Sequence, residues 1–137
     1  MNRLYILMTV TVVMVAAPLF GAHEALADIL TGTSGNDTLV GGTTDDYIKG
    51  RAGDDYLDSG GGDDTIEGGR GNEQIFPGEG DDDVFAGAGN DLIYARDTDG
   101  VDYIDCGGGF DKVETIHRDD RTKSNCERAL GPRQGNI

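Results

Sequence analysis

The sequence predicts an all-β solenoid, in which short parallel strands stack coil upon coil. Three observations support this prediction: a nine-residue repeat from Gly32 to Val113, an acidic residue at the sixth position of all nine copies, and an aliphatic residue at the eighth. One nonapeptide can bury almost nothing, whereas two form a coil of about 18 residues with a strand on each side. Stacking such coils buries the aliphatic side chains against one another.

Each copy is predicted to contain one short strand and one turn. The eighth residue lies in the middle of a three-residue strand, so its side chain points away from the side chains of its two neighbours. The other six residues are rich in glycine and are expected to form a tight turn. Nine copies predict about four and a half coils, or roughly 20 Å of stack. The aliphatic residues are Leu39, Ile48, Leu57, Ile66, Ile75, Val84, Ile93, Ile104 and Val113.

Oxygen atoms converge in these turns, which indicates a site for a hard cation. A carboxylate follows glycine carbonyl groups in each turn, and the first seven copies contain neither His nor Cys. Flexible, oxygen-rich turns suit Ca²⁺ better than the strict octahedron of Mg²⁺. The predicted acidic ligands are Asp37, Asp46, Asp55, Asp64, Glu73, Asp82 and Asp91, and the predicted turn glycines are Gly42, Gly53, Gly60, Gly62, Gly69, Gly71, Gly78, Gly80, Gly87 and Gly89.

The repeat resembles the RTX, or hemolysin-type, calcium-binding nonapeptide family, whose pattern is G-G-x-G-x-D-x-U-x. The resemblance implies a right-handed parallel β-roll with several Ca²⁺ ions held between the turns of successive coils. Copies n and n+2 would then share an ion. Asp37, Asp55, Glu73 and Asp91 would line one edge of the roll, and Asp46, Asp64 and Asp82 the other.

Departures from the repeat predict its weak points. Glu73 is one methylene longer than Asp, so its carboxylate is expected to overshoot the position that Asp occupies. Thr44 replaces a fourth-position glycine and is expected to adopt the backbone angles of that glycine, while Thr33 and Arg51 replace second-position glycines. Sites that these residues touch are expected to be weaker or empty. Pro77 lacks an amide donor, which a turn tolerates.

The N-terminal segment has the pattern of an export signal. Arg3 precedes an apolar run from Leu4 to Phe20, and Ala25-Leu26-Ala27 has the form of a cleavage site. A membrane anchor is the alternative, although 17 residues is short for a span. We therefore predict a signal peptide over residues 1–27, and a secreted, extracellular mature chain without a membrane span.

The repeat frame slips after Tyr94, and the last copies lose several glycines. The predicted organisation is a roll over residues 28–114 and a C-terminal cap with a frayed tail over 115–137. Cys106 and Cys126 are the only cysteines, and in an exported chain they favour an internal disulfide, worth about 3 kcal/mol, that staples the cap. Free thiols or a bond between two molecules are the alternatives. The segment IDCGGGFDKV, followed by a basic stretch and NCE, resembles the end of small secreted members of the family.

Charge and core size together predict that folding depends on calcium. The formal net charge is −15, which repels nucleic acid and anionic lipid and concentrates cations. Adjacent carboxylates repel one another when no cation is present, and the aliphatic row is too thin to offset the entropy of ordering the chain. We expect the chain to be largely unfolded without Ca²⁺ and to fold on binding it.

Catalytic motifs are missing from the sequence. His117 is the one histidine after residue 27, no HExxH or nucleophile-elbow motif occurs, and the paired carboxylates recur as a binding pattern does. We predict a non-enzymatic, secreted calcium-binding protein. The alternatives are a surface structural or adhesive protein rigidified by calcium, or a repeat module derived from a larger exported enzyme or toxin. The sequence identifies no macromolecular partner.

Overall fold

The chain coils between two parallel β-sheets. The computed structural model describes residues 27–96, 100–115 and 119–128. Most of the predicted signal peptide and the tail beyond residue 128 lie outside these ranges. The odd sheet contains, in order, β1 (Ile29–Thr31), β3 (Tyr47–Ala52), β5 (Thr65–Arg70), β7 (Asp83–Ala88), β9 (Tyr103–Asp105) and β11 (Arg121–Thr122). The even sheet contains β2 (Thr38–Val40), β4 (Tyr56–Asp58), β6 (Gln74–Phe76), β8 (Leu92–Ala95), β10 (Lys112–Thr115) and β12 (Glu127–Arg128).

The aliphatic residues form the core between the two sheets. In the odd sheet Ile48 lies opposite Ile66, and in the even sheet Leu57 lies opposite Ile75. All nine eighth-position residues are 0 to 1 % exposed. Burying each of these side chains contributes about 2 kcal/mol. The predicted parallel β-roll with an aliphatic core is confirmed.

Strand length differs between the two sheets, which the sequence did not predict. β3, β5 and β7 are six residues long because the first three residues of the next copy also pair, as Arg51 does with Gly69. In the even sheet β2, β4 and β6 keep the predicted three residues. Pro77 follows β6 and has no amide to donate, so pairing cannot continue there as it does in the odd sheet.

The roll extends beyond the nine copies at both ends. β1 pairs with β3 because Asp28 and Leu30 occupy the sixth and eighth positions of a further copy that has no glycine. At the other end, β11 and β12 pair with β9 and β10, so the described part of the predicted cap continues both sheets. None of the residues in the three described ranges forms a helix that is long and apolar enough to span a membrane.

A disulfide joins the last coils. Cys106 and Cys126 are bonded, with their Cα atoms 5.4 Å apart, as the sequence predicted. Cys106 is fully buried at the end of the aliphatic core, and Cys126 packs against that core. Because Thr122 lies opposite Ile104, the aliphatic row of the odd sheet ends in a polar residue.

Candidate metal centre

The sixth-position acids are buried in two rows, one along each edge of the roll where the chain crosses between the sheets. We call these rows the Asp37 edge and the Asp46 edge. The Asp37 edge contains Asp37, Asp55, Glu73, Asp91 and Asp111, and the Asp46 edge contains Asp46, Asp64, Asp82, Asp102 and Asp120, all of them buried. The structure therefore places all seven predicted acidic ligands on the edges expected for them.

Hydrogen bonds link each row along the stack. The Oδ1 atom of an acid accepts a hydrogen bond from the backbone N–H of the acid one coil earlier. The Asp37 amide donates to Asp55 Oδ1 at 2.8 Å, and the Asp46 amide donates to Asp64 Oδ1 at 2.6 Å. We call this repeated bond the carboxylate ladder. Where this bond is made, it uses one oxygen of the carboxylate and leaves the second for another partner.

The second carboxylate oxygen is buried without a hydrogen bond at several positions. The Oδ2 atoms of Asp55, Asp64, Asp91 and Asp111 accept no hydrogen bond from the described residues. Burial raises the pKa of Asp55, Asp64 and Asp91 because a charged carboxylate is poorly solvated there. A buried anionic oxygen is costly unless it is paired. These residues therefore fit a bound cation.

Both carboxylate oxygens of Asp37 and of Asp46 accept hydrogen bonds. Asp37 Oδ2 accepts the Thr33 amide at 2.5 Å, and Asp46 Oδ2 accepts the Gly42 amide at 2.8 Å. In these turns a backbone N–H of the same copy occupies the oxygen that is left unbonded in Asp55 and Asp64. Each of these two turns thus closes on its own carboxylate.

Glycine lets the turns stack in close contact. A Cβ atom built on Gly71 would lie 2.0 Å from the carbonyl oxygen of Gly53, and one on Gly89 would lie 1.4 Å from that of Gly71. Gly71 and Gly89 also have φ values of +136° and +150°, a region that other residues avoid. Gly60, Gly78, Gly80 and Gly87 likewise lie against the carbonyl oxygen of the glycine one coil earlier, and Gly53, Gly62 and Gly69 lie against the backbone of Gly35, Thr44 and Arg51.

Space beside some of the carboxylates also depends on glycine. A Cβ atom on Gly50 would lie 2.5 Å from Asp55 Oδ2, and one on Gly41 would lie 2.6 Å from Asp46 Oδ2. In these two copies the first residue therefore leaves room around the carboxylate of its own turn. The copies of Asp64, Asp82 and Asp91 instead begin with Ser59, Pro77 and Ala86, so this feature is not shared by every turn.

Glu73 departs from the ladder, as its extra methylene predicts. A Cβ atom built on Gly50 would lie 3.3 Å from the carboxyl carbon of Asp55. A Cβ atom built on Gly68, the equivalent residue one coil later, would lie 3.3 Å from the Cγ methylene of Glu73, so a methylene takes the place of the carboxyl carbon. The Glu73 carboxylate instead reaches Gly71, with Oε1 2.8 Å from the Cβ position of that glycine. Burial, together with the Asp91 carboxylate, raises the pKa of Glu73 to about 8.

One expectation about the turn backbone is wrong. Thr44 does not adopt the positive φ found at glycines in this position. Within the described ranges Arg51, at +81°, is the one non-glycine residue with positive φ. Gly35, at the fourth position of the preceding copy, likewise has no positive φ. Gly62, one coil later, lies on Thr44 and has the positive φ value of +111°.

A second ladder at the fifth position was not predicted. The Asn or Asp side chain at this position accepts the backbone N–H of the fifth residue one coil later, from Asp63 to Asp45 at 3.0 Å and from Asn90 to Asn72 at 2.9 Å. These side chains are exposed. The signal was present in the sequence, because the fifth residue is Asn or Asp in each of the first seven copies.

The donor set suits calcium bound by few side chains. Among the described residues, no group of three or more His, Cys, Asp or Glu side chains could enclose a metal. Any cation would therefore be held by one or two carboxylates and by backbone carbonyl groups of the stacked glycine turns. Such all-oxygen coordination is the kind that Ca²⁺ accepts.

Comparison with known families identifies the same repeat. A family model described as the RTX calcium-binding nonapeptide repeat matches the chain in four overlapping copies, at residues 31–66, 40–75, 52–84 and 76–113. Comparisons with curated proteins and with solved structures gave no match. The family match covers most of the two sheets and both edges.

Proposed function

Because the chain belongs to the RTX calcium-binding nonapeptide repeat family, we propose that it is a secreted, non-enzymatic protein that binds several Ca²⁺ ions and folds on binding them. The observation that carries this proposal is the row of buried carboxylate oxygens without a hydrogen bond, which includes those of Asp55, Asp64 and Asp91. A bound cation would supply the positive charge that these oxygens lack.

The residues of the chain divide the binding task. In the aspartates of the ladder the Oδ1 atom holds the carboxylate in place, and in Asp55, Asp64 and Asp91 the Oδ2 atom is buried without a hydrogen bond. Glycines such as Gly71 and Gly80 allow the backbones of successive turns to come into close contact. Calcium would add electrostatic attraction between coils that are otherwise joined mainly by backbone hydrogen bonds.

Coupling to folding follows from where the carboxylates lie. The acids occupy positions that are buried only when the coils stack, so a metal-free roll must bury several charged groups. An unfolded chain has no preformed turn to bind the ion. Binding free energy then becomes folding free energy.

Export is supported by two features. The pattern of residues 1–27 is that of a cleaved signal, and the Cys106–Cys126 disulfide fits an oxidising compartment. N-terminal sequencing of the exported protein should give Asp28 as the first residue. A mature chain that retains Leu4 to Phe20 would contradict the signal assignment.

Circular dichroism tests calcium-coupled folding. The purified chain from residue 28 to 137 is titrated with CaCl₂ and, in a separate sample, with MgCl₂. We expect a cooperative gain of β-sheet signal with CaCl₂ alone. A full β-sheet spectrum in excess chelator would show that the aliphatic core and disulfide suffice without the ion.

A further inference from the structure

The two edges differ in the continuity of their carboxylate ladders. On the Asp46 edge the ladder runs without a break from the amide of Asp28 to the carboxylate of Asp120. Its five hydrogen bonds measure 2.8, 2.6, 2.9, 3.2 and 3.3 Å in chain order. Each coil on this edge is therefore tied to the next through a carboxylate.

The ladder of the Asp37 edge is interrupted at Glu73. It joins Asp37 to Asp55 at 2.8 Å, and it joins Glu73 to Asp91 and Asp91 to Asp111 at 2.9 Å each. Between Asp55 and Glu73 the bond is missing, because neither carboxylate oxygen of Glu73 accepts a hydrogen bond from the described residues. The Asp55 amide has no carboxylate acceptor of the kind used elsewhere on the edge.

The interruption has a steric cause. The methylene of Glu73 occupies the position that a carboxyl carbon occupies in Asp55, so the Glu73 carboxylate lies beside Gly71 instead of beside the Asp55 amide. Glu73 is 1 % exposed, and both of its oxygens are buried. The Glu73 carboxylate therefore interacts electrostatically with both Asp55 and Asp91, with one ladder bond fewer to hold it in place.

We infer that Glu73 divides the Asp37 edge into two short calcium-binding segments, whereas the Asp46 edge binds calcium as one continuous array. This inference rests on the proposed function. An ion bound on the Asp46 edge fixes a carboxylate, and the ladder bond of that carboxylate also positions the next coil. Binding at one site therefore increases the calcium affinity of the neighbouring site. On the Asp37 edge that assistance stops between Asp55 and Glu73. Calcium binding then has two phases, a stronger one on the Asp46 edge and a weaker one on the Asp37 edge.

Calorimetric titration with CaCl₂ of the purified protein and three variants tests this assignment. Glu73→Asp restores the missing acceptor, and we expect the weaker phase to tighten roughly tenfold, the effect of one hydrogen bond to a charged acceptor. Asp64→Glu creates the same interruption on the other edge and should weaken the stronger phase by a similar factor. Glu79→Asp, an identical change to an exposed turn residue, is the control and should leave both phases unchanged.

Amide hydrogen exchange in the calcium-bound protein gives a second readout. The Asp55 amide should exchange at least tenfold faster than the Asp46 amide, which donates to Asp64, and Glu73→Asp should slow it to a similar rate. A single binding phase that Glu73→Asp does not change, or an Asp55 amide already as protected as that of Asp46, would overturn the inference. Absence of calcium binding in all four proteins would instead contradict the proposed function.

Discussion

Alanine at Gly89 should disrupt the stack of turns without changing a charge or a calcium-facing side chain. The new Cβ atom would lie 1.4 Å from the carbonyl oxygen of Gly71 and 2.5 Å from its carbonyl carbon, whereas real Cβ atoms essentially never come within 3.0 Å of such atoms. The two coils must therefore move apart by more than about 1 Å at this point. The hydrogen bond from the Gly89 amide to Gly108, at 2.9 Å, lies in the region that moves.

The cost of this substitution can be estimated from three effects. Overpacking contributes about 2 kcal/mol, alanine at a φ of +150° about 1 kcal/mol, and weakened hydrogen bonds about 1 kcal/mol. A loss of about 4 kcal/mol lowers the melting temperature of a domain of this size by about 15 to 30 °C. Gly108→Ala is the matched control, because a Cβ atom there meets no atom within 4 Å.

Thermal unfolding in saturating CaCl₂, followed by circular dichroism, measures both variants. We expect a large fall for Gly89→Ala and a change within about 4 °C for Gly108→Ala, as for an unstrained surface substitution. Equal melting temperatures for the two variants would refute the reasoning. The close contact between turns would then not limit stability.

Three further predictions concern the core, the disulfide and Glu73. Ile75→Ala, at a fully buried core position, should lower the free energy of unfolding by about 3 kcal/mol. The control, Val40→Ala at a half-exposed position, should lower it by less than about 1 kcal/mol. Denaturant unfolding of both variants in CaCl₂ measures the difference. Replacing Cys106 and Cys126 together by serine should cost about 3 kcal/mol in the same assay, and an unchanged unfolding midpoint would contradict the stapling role. Because the pKa of Glu73 is raised from 4.5 to about 8, the metal-free fold loses stability as pH rises through that interval, and Glu73→Gln should remove this part of the loss. Circular dichroism of the metal-free protein and of metal-free Glu73→Gln, each recorded as a function of pH, tests this prediction. The same loss of β-sheet signal with rising pH in both proteins would contradict it.

The repeat predicted the core and the rows of acids because each depends on a fixed position in nine. Ile48 pairs with Ile66, and Asp46 is bonded to Asp64, since both pairs are 18 residues apart. Such regularity is visible in the sequence without any knowledge of contacts. It also predicted that Glu73 would overshoot, because that conclusion requires only the length of a side chain.

Features that depend on what lies one coil away were not predictable in this way. Leu30 continues the core in a copy that has no glycine, so the repeat pattern does not reveal it. Thr44 has no positive φ, although Gly62 at the same position one coil later has a φ of +111°. Adjacent acids such as Asp45 and Asp46 indicate repulsion in the sequence, and the fifth-position ladder appears only in the structure, where the two side chains accept hydrogen bonds from backbone amides in different coils.

The spacing of the repeat explains why calcium binding and core formation are linked. The sixth and eighth residues of a copy are two apart, so in an extended chain their side chains point to the same side. Asp64 and Ile66 illustrate this, since both are buried and Thr65 between them is only partly buried. The chain therefore cannot bury its aliphatic row without burying its carboxylate row. A cation that neutralises those carboxylates thus favours burial of the aliphatic core, although the ion need not touch any core residue.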